Sequence, residues 1–140
     1  MRILIIAAVA VCVLAGPVSA ADGIGSYYTV ASCQREGTSG VYTATGERYD
    51  EGALTCALPW RPDGAEYWVY AHDTGRSIVV RHNDRGPSKR LVKNGIIIDL
   101  TPAGWSALGY KTLDRRGGRG HINVSYQRVS KGEQDNVRRN

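Results

Sequence analysis

Hydrophobic positions in this chain fall into one long run, Ile3 to Ala15, and afterwards only into short ones. Beyond the Gly16-Pro17 break the apolar residues gather in brief stretches, several of them alternating with polar positions, which is the spacing of strands. Tyr27 to Ser32, rich in Tyr, Thr and Val, predicts a first strand. Gln34 to Thr45 turns to Gly, Ser and Thr and predicts a long surface loop. Ala53 to Leu58 is a short apolar segment stopped by Pro59. Glu66 to Ala71 and Ser77 to His82 read as the arms of a hairpin around Asp73-Thr74-Gly75-Arg76. Ile96 to Ile98 predicts a buried strand leading into Asp99, and Ile122, Val124 and Tyr126 alternate with polar residues in a last one. Thr101 and Pro102 mark a helix start, because Thr caps free amides and Pro fits the first turn; Gly109 is placed to end it. Five or six short strands with one short helix imply a mainly β fold, a small barrel.

Composition then sorts the two ends of the chain. Arg2, the apolar run and Val18-Ser19-Ala20 form the pattern of a secretory signal peptide over residues 1–20, with cleavage expected between Ala20 and Ala21. The run is about 13 residues, short of the roughly 20 that span a bilayer, so no stable membrane anchor is expected. Residues 21–130 are expected to form a single domain, and the polar tail, 131–140, to be disordered. The formal charge of +5 drops to +4 when Arg2 leaves. A moderately basic exported domain suits acidic wall polymers, and export disfavours nucleic acid as a partner. Cys12 leaves with the signal, so Cys33 and Cys56 remain. In an oxidising compartment a disulfide is the default, stabilising by ~3 kcal/mol in the chain-entropy model. A reactive Cys nucleophile is the alternative. The three histidines are too scattered to form a ligand set, so neither a metal nor another cofactor is expected.

Arg81-His82-Asn83-Asp84-Arg85-Gly86-Pro87 carries the candidate chemistry. It ends a β-branched run with an acid and then turns at Gly86-Pro87. By itself such a segment is a surface turn or a device for holding an acid at a cleft. Several stretches together decide between these. Ala31-Ser32, Thr43-Ala44-Thr45-Gly46-Glu47-Arg48-Tyr49-Asp50, Ala53-Leu54-Thr55, Gly75-Arg76-Ser77, Asn83-Asp84-Arg85-Gly86-Pro87 and Ile97-Ile98-Asp99-Leu100 succeed one another in the order and spacing of one family. The chain thereby resembles the rare lipoprotein A (RlpA-like) proteins from about Tyr28 to Val129.

That resemblance implies a six-stranded double-psi β-barrel acting on bacterial peptidoglycan, in the manner of septal lytic transglycosylases. Expansins and barwin proteins are more distant relatives. A lytic transglycosylase cleaves glycan strands after N-acetylmuramic acid without water, the sugar's own primary hydroxyl closing onto the anomeric carbon. One acid can protonate the leaving oxygen and then take the hydroxyl proton. The family's acid falls on Asp84. Thr43, Glu47, Asn83, Arg85 and Asp99 are expected to shape the substrate groove, with Trp60 offering an aromatic face to a sugar ring. The expected protein is a secreted or periplasmic monomer whose partner is the glycan strand.

Two departures stand out. The family's His falls on Leu58, which cannot hand on a proton, so a non-catalytic glycan-binding or wall-remodelling module is the alternative. His82, two residues before Asp84, would share its face in a straight strand and could stand in for the missing His. Cys33 replaces a usual Trp and Cys56 an ordinary Ala, which suggests that the two arose as a bonded pair. Arg85 is expected to turn away from Asp84 or to pair with Glu47 or Asp99, because an inward cation would lower the acid's pKa. His72 and His121 are expected to be exposed, and Trp68 and Trp105 to be core.

Overall fold

A computed structural model of the chain describes residues 20–37, 41–111 and 120–130. The expected signal peptide (but for Ala20), most of the Gly- and Arg-rich stretch before the last strand, and the polar tail lie outside the described residues. Six strands, β1 (Ala21–Tyr27), β2 (Thr55–Leu58), β3 (Glu66–Ala71), β4 (Ser77–Arg85), β5 (Ile96–Leu100) and β6 (Ile122–Arg128), close into a barrel in the order β1-β5-β2-β4-β3-β6. The pairs β1/β5 and β2/β4 are parallel and the other four antiparallel. Closure leaves no free sheet edge.

Alternation explains which side chains fill the interior. Ile122, Val124 and Tyr126 point inward from β6, Tyr67, Val69 and Ala71 from β3, and Ile96, Ile98 and Leu100 from β5. Val69, Val80, Ile98, Leu100, Val124 and Leu58 are wholly inaccessible to solvent. β2 is buried along its full length, since β4 and β5 flank it and its short apolar sequence has no polar face.

Among the described residues three helices are present where one is expected. The foreseen helix, α3 (Pro102–Ala107), has Thr101 as cap, its hydroxyl accepting from the Gly104 amide, and Gly109 comes after it at φ 95°. Trp105 of this helix is core, its ring 4.8 Å from that of Tyr27. The basic segment Lys89–Lys93 is α2, begun by Ser88. The larger correction is at the N-terminus. β1 ends at Tyr27, and Val30–Arg35 is α1, replacing the end of the strand expected over Tyr27 to Ser32 and the start of the loop expected from Gln34. Thr29 caps it reciprocally with Ser32. A capping box normally carries Glu or Gln at the third helical position. Ser32 makes the same bond with a side chain that reads as neutral in the sequence.

Candidate functional site

The barrel end formed by the C-termini of β2 and β4 gathers most of the residues singled out above. β4 does not run straight there. Cys56 pairs with His82 and Ala57 with Asp84, so Asn83 is an extra residue on β4, a bulge. A bulge shifts the alternation by one, and its consequences can be traced residue by residue. Val80 and His82 point into the barrel, Asn83 is buried against the loop outside, and Asp84 reaches partial exposure at the rim.

The expectation that His82 shares the face of Asp84 therefore fails. His82 is completely buried, with its ring edge-on to Trp60 at 5.9 Å and to Tyr67 at 6.0 Å. Its Nδ1 lies 3.2 Å from Asp63 Oδ1, and its Nε2 donates to the backbone carbonyl of Asp84 at 3.0 Å. His82 thus fastens the main chain of the bulge and does not face the Asp84 carboxyl. Burial pushes the Asp63 carboxyl up, but the Ala65 amide, His82 and Arg128 outweigh burial and hold it below the usual range.

Asp84 itself is an acceptor hub. Oδ1 takes the Ala44 amide at 2.9 Å and the Arg85 amide at 2.8 Å, and Oδ2 takes the Tyr28 hydroxyl at 3.1 Å. Burial, and after it the Asp84 charge, raise the Tyr28 phenol, so Tyr28 is a stable donor here. Tyr49 supports Tyr28 from behind: its hydroxyl donates to the Tyr28 carbonyl at 2.6 Å and the rings lie 4.8 Å apart.

The segment Val41–Asp50 reaches Asp84 because it is clamped to β4. Glu47 receives both guanidinium nitrogens of Arg81, at 2.7 and 2.8 Å, and the Asn83 amide at 3.2 Å. The hydrogen bonds from Arg81 and then from Asn83 hold the Glu47 carboxyl down to about 2. Arg81 thus takes the partner that Arg85 was expected to take, and Arg85 is exposed. Thr43 is buried and used within the loop's own turn, bonded to Thr45 and to the Glu47 carbonyl.

Asp99 stands one strand away. Ser26 pairs with Asp99, Asp99 with Ala57, and Ala57 with Asp84, a single row across β1, β5, β2 and β4. Residues in one row share a face, so both carboxyls rise on the same side with only the Ala57 methyl between them. The Ser26 hydroxyl donates to Asp99 Oδ1. Gly86, at the cis Gly86-Pro87 bond, lies so close that a Cβ there would stand 3.0 Å from Asp99 Oδ2. Burial first, then the charges of Glu36 and Asp84, push the Asp99 carboxyl up to about 6 against the pull of Ser26.

The remaining expectations divide. Trp60 is 43% exposed beside the buried His82. Leu58 is wholly in the core and does not line the rim. The expected disulfide is absent: Cys33 and Cys56 are not joined. Cys56 is sealed inside the barrel, where burial raises its thiol, and Cys33 sits half-buried on α1. His72 and His121 are exposed. Among the described residues no cluster of His, Cys, Asp and Glu could hold a metal ion, and no helix is long and apolar enough to cross a membrane. Tyr28, Ser26, Ala44, Asp63 and Arg81 were not foreseen. Arg81 alone had a local signal, standing two residues before Asn83 and so able to serve the same partner.

The family model described as lytic transglycolase matches residues 20–126. The endolytic peptidoglycan transglycosylase RlpA of Yersinia pestis is 45% identical over 74 residues, covering 53% of this chain and 19% of that protein. The protein of the same name from Pseudomonas aeruginosa is 37% identical over 87 residues, covering 61% of this chain and 24% of that one. The chain therefore spans about a fifth to a quarter of these curated relatives. Two solved structures share the fold. The Streptomyces papain inhibitor has a TM-score of 0.54 and 21% identity, covering 80% of this chain and 96% of its own. An expansin of Clavibacter michiganensis, solved without ligand, has a TM-score of 0.53 and 15% identity, covering 81% of this chain and 52% of its own.

Proposed function

The chain belongs to the lytic transglycolase family, whose model spans most of its length, and on that premise we propose that it is an exported module cleaving peptidoglycan glycan strands after N-acetylmuramic acid. The observation that carries this reading is Asp84, a half-exposed carboxyl at the barrel rim. Tyr28, Ala44 and its own bulge fix its direction before any substrate arrives. Groups fixed in this way lose little entropy when a substrate binds. Asp84 is the single carboxyl that protonates the leaving oxygen and then takes the proton of the muramic acid primary hydroxyl as its oxygen closes onto the anomeric carbon. Trp60, exposed on the same arm of chain as β2, supplies an apolar face for a neighbouring sugar.

A second reading, a glycan-binding module without turnover, is favoured by Leu58, an untitratable core residue where the resembled family carries His. One experiment separates the two. Purified protein is incubated with glycan strands freed of stem peptides, and products are examined by mass spectrometry. Anhydro-muramic ends from wild type, lost by at least ~100-fold in Asp84→Asn with strand binding retained, support the enzyme. Binding without product supports the module, and full activity in Asp84→Asn means another group is the base.

A further inference from the structure

The two oxygens of the Asp84 carboxyl are not equivalent. A carboxylate offers about four lone-pair sites, two on each oxygen. On Oδ1 both are taken, by the Ala44 amide at 2.9 Å and the Arg85 amide at 2.8 Å. Neither amide is free to turn its hydrogen aside. Ala44 stands between Thr43 and Thr45, whose own amides donate to the carbonyls of Glu47 and Asn83, and Arg85 pairs with Leu58 at the end of β4. On Oδ2 one site is taken, by the Tyr28 hydroxyl at 3.1 Å, and among the described residues nothing takes the other.

We propose that Oδ2 is the oxygen through which Asp84 gives and takes its proton, and that Tyr28 is the positioning residue that keeps it so. This inference rests on the transglycosylase reading and names the atom of its one carboxyl that reacts. A proton on Oδ1 would have to displace a backbone amide, whereas Oδ2 has room for it. Its remaining partner is also the one donor of the three whose hydrogen rotates about a single bond. Tyr28 donates to Oδ2 while Asp84 is ionised and turns its hydrogen away once Oδ2 is protonated.

The rest of Tyr28 is held still, so that the hydroxyl torsion is the freedom left to it. Its amide donates to the Leu100 carbonyl at 3.1 Å, its carbonyl takes the Tyr49 hydroxyl at 2.6 Å, and the two rings lie 4.8 Å apart. Burial first, and then the Asp84 charge, push the phenol up, so Tyr28 keeps its own proton and orients that of Asp84 without exchanging it. The titratable groups that feel the Asp84 charge are Tyr28 after β1, Tyr49 in the loop and Asp99 on β5; Cys33 of α1 acts on both tyrosines, and Arg85 of β4 is exposed. Of these side chains Tyr28 is the one bonded to the carboxyl.

The step balances through one oxygen. The bond between the anomeric carbon and the leaving oxygen breaks, its electron pair stays with that oxygen, and Oδ2 gives it a proton. Charge now lies on Asp84, and Tyr28 donates to it. The primary hydroxyl oxygen then bonds to the anomeric carbon through a lone pair, its proton passes to Oδ2, and Tyr28 lets go. Asp84 ends protonated, as it began.

The test combines kinetics with titration. Tyr28→Phe keeps the ring and removes the hydroxyl. It should lower kcat by at least ~10-fold with KM within about threefold, because the partner lost is one that the carboxyl needs only after giving up its proton. Losing a donor to the charged form makes Asp84 harder to ionise, so the alkaline limb of the activity profile should move to higher pH. Tyr49→Phe, which loosens the main chain of Tyr28 without touching the carboxyl, should lower the melting temperature and leave that limb in place. Carbon-13 NMR of the wild type needs neither a variant nor turnover: the Tyr28 Cζ resonance should move with the Asp84 carboxyl through a single midpoint, and the movement should vanish in Asp84→Asn. A Tyr28 resonance that stays still as Asp84 titrates overturns the inference and leaves the transglycosylase reading standing, as does a Tyr28→Phe protein with wild-type kcat and pH profile. So does a Tyr28→Phe protein whose kcat and melting temperature fall together with the limb unmoved, the mark of a strut. A wild type that binds strands and yields no anhydro ends overturns both.

Discussion

Two carboxyl clusters meet strand β4 at neighbouring points, one at His82 and one at Asp84, and they solve opposite problems. In the inner of the two, the exposed Asp63 carboxyl meets the buried ring of His82 and the exposed Arg128, and each charge or donor finds a complement. At the rim, Asp84 and Asp99 set two acids along one row with no cation between them. The inner cluster lowers its carboxyl and the outer one raises its own, Asp63 below and Asp99 above the ordinary range. Compensated charge of the first kind holds the bulge in place. Uncompensated charge of the second kind is unfavourable for folding. The bulge at Asn83 joins them, since it turns His82 inward and Asp84 outward in the space of two residues.

Removing His82 should have the largest effect on folding. His82→Ala takes the ring from between Trp60 and Tyr67 and leaves both Asp63 and the Asp84 carbonyl without a buried partner. Emptying a fully buried site of its ring costs about 3 kcal/mol or more. A domain of this size should then melt at least ~10 °C lower by calorimetry. An unchanged melting temperature would mean that the inner cluster does not hold the bulge. Asp84→Asn, by contrast, should leave melting nearly unchanged, because the amide oxygen still accepts from Ala44 and Arg85.

The outer cluster should show the opposite sign. The folded-state pKa of Asp99 is raised, to about 6 against an unfolded value near 4, so the native protein keeps a proton that the unfolded chain has lost. Its stability is fully present below about pH 4 and is lost as pH rises through about 6. Two units correspond to about 3 kcal/mol, and partial solvent access reduces this to ~1–2 kcal/mol. Asp99→Asn should therefore be more stable than wild type at pH 8 and equal to it at pH 4 in urea titrations. Equal stability at both values would show that Asp99 is well solvated.

The difference between these clusters also explains what could be read in one dimension. Strands whose inward residues alternate, such as Ile122, Val124 and Tyr126, announce themselves, and so does the Thr101-Pro102 helix start. The motif around Asp84 was legible through the spacing of six separate stretches. Helix α1 was not, because Val30 and a Thr29–Ser32 cap lack the acidic signature of a helix start. The role of His82 depended on a single inserted residue, and no propensity marks Asn83 as the bulge. Tyr28 and Asp84 are 56 residues apart, and the Ser26–Asp99 contact spans 73; such pairs exist only once the barrel closes. Cys33 and Cys56 looked like a pair because both are unusual, yet Cys56 faces the sealed interior and the two are not joined.

Glu47 tests how much of the rim is imposed by the loop that covers it. Its carboxylate grips Arg81 with both oxygens and also takes Asn83, which ties the loop to the bulge, and the Ala44 amide of that same loop aims Asp84. Glu47→Gln keeps the size but loses the paired charge and one acceptor. Because the ion pair is exposed, its contribution to stability should be under about 1 kcal/mol. Its folded-state pKa is depressed to about 2, so that contribution is present above about pH 4.5 and disappears as pH falls toward 2. It should shrink further in 1 M salt, where the screening length is roughly 3 Å. The effect on turnover should exceed the effect on melting, with kcat down roughly three- to tenfold and strand binding little changed, because a loosened Ala44 amide misdirects Asp84 without unfolding anything. If melting and kcat instead fall together, and high salt leaves the difference intact, the loop is a structural strut and Asp84 is aimed by the bulge alone.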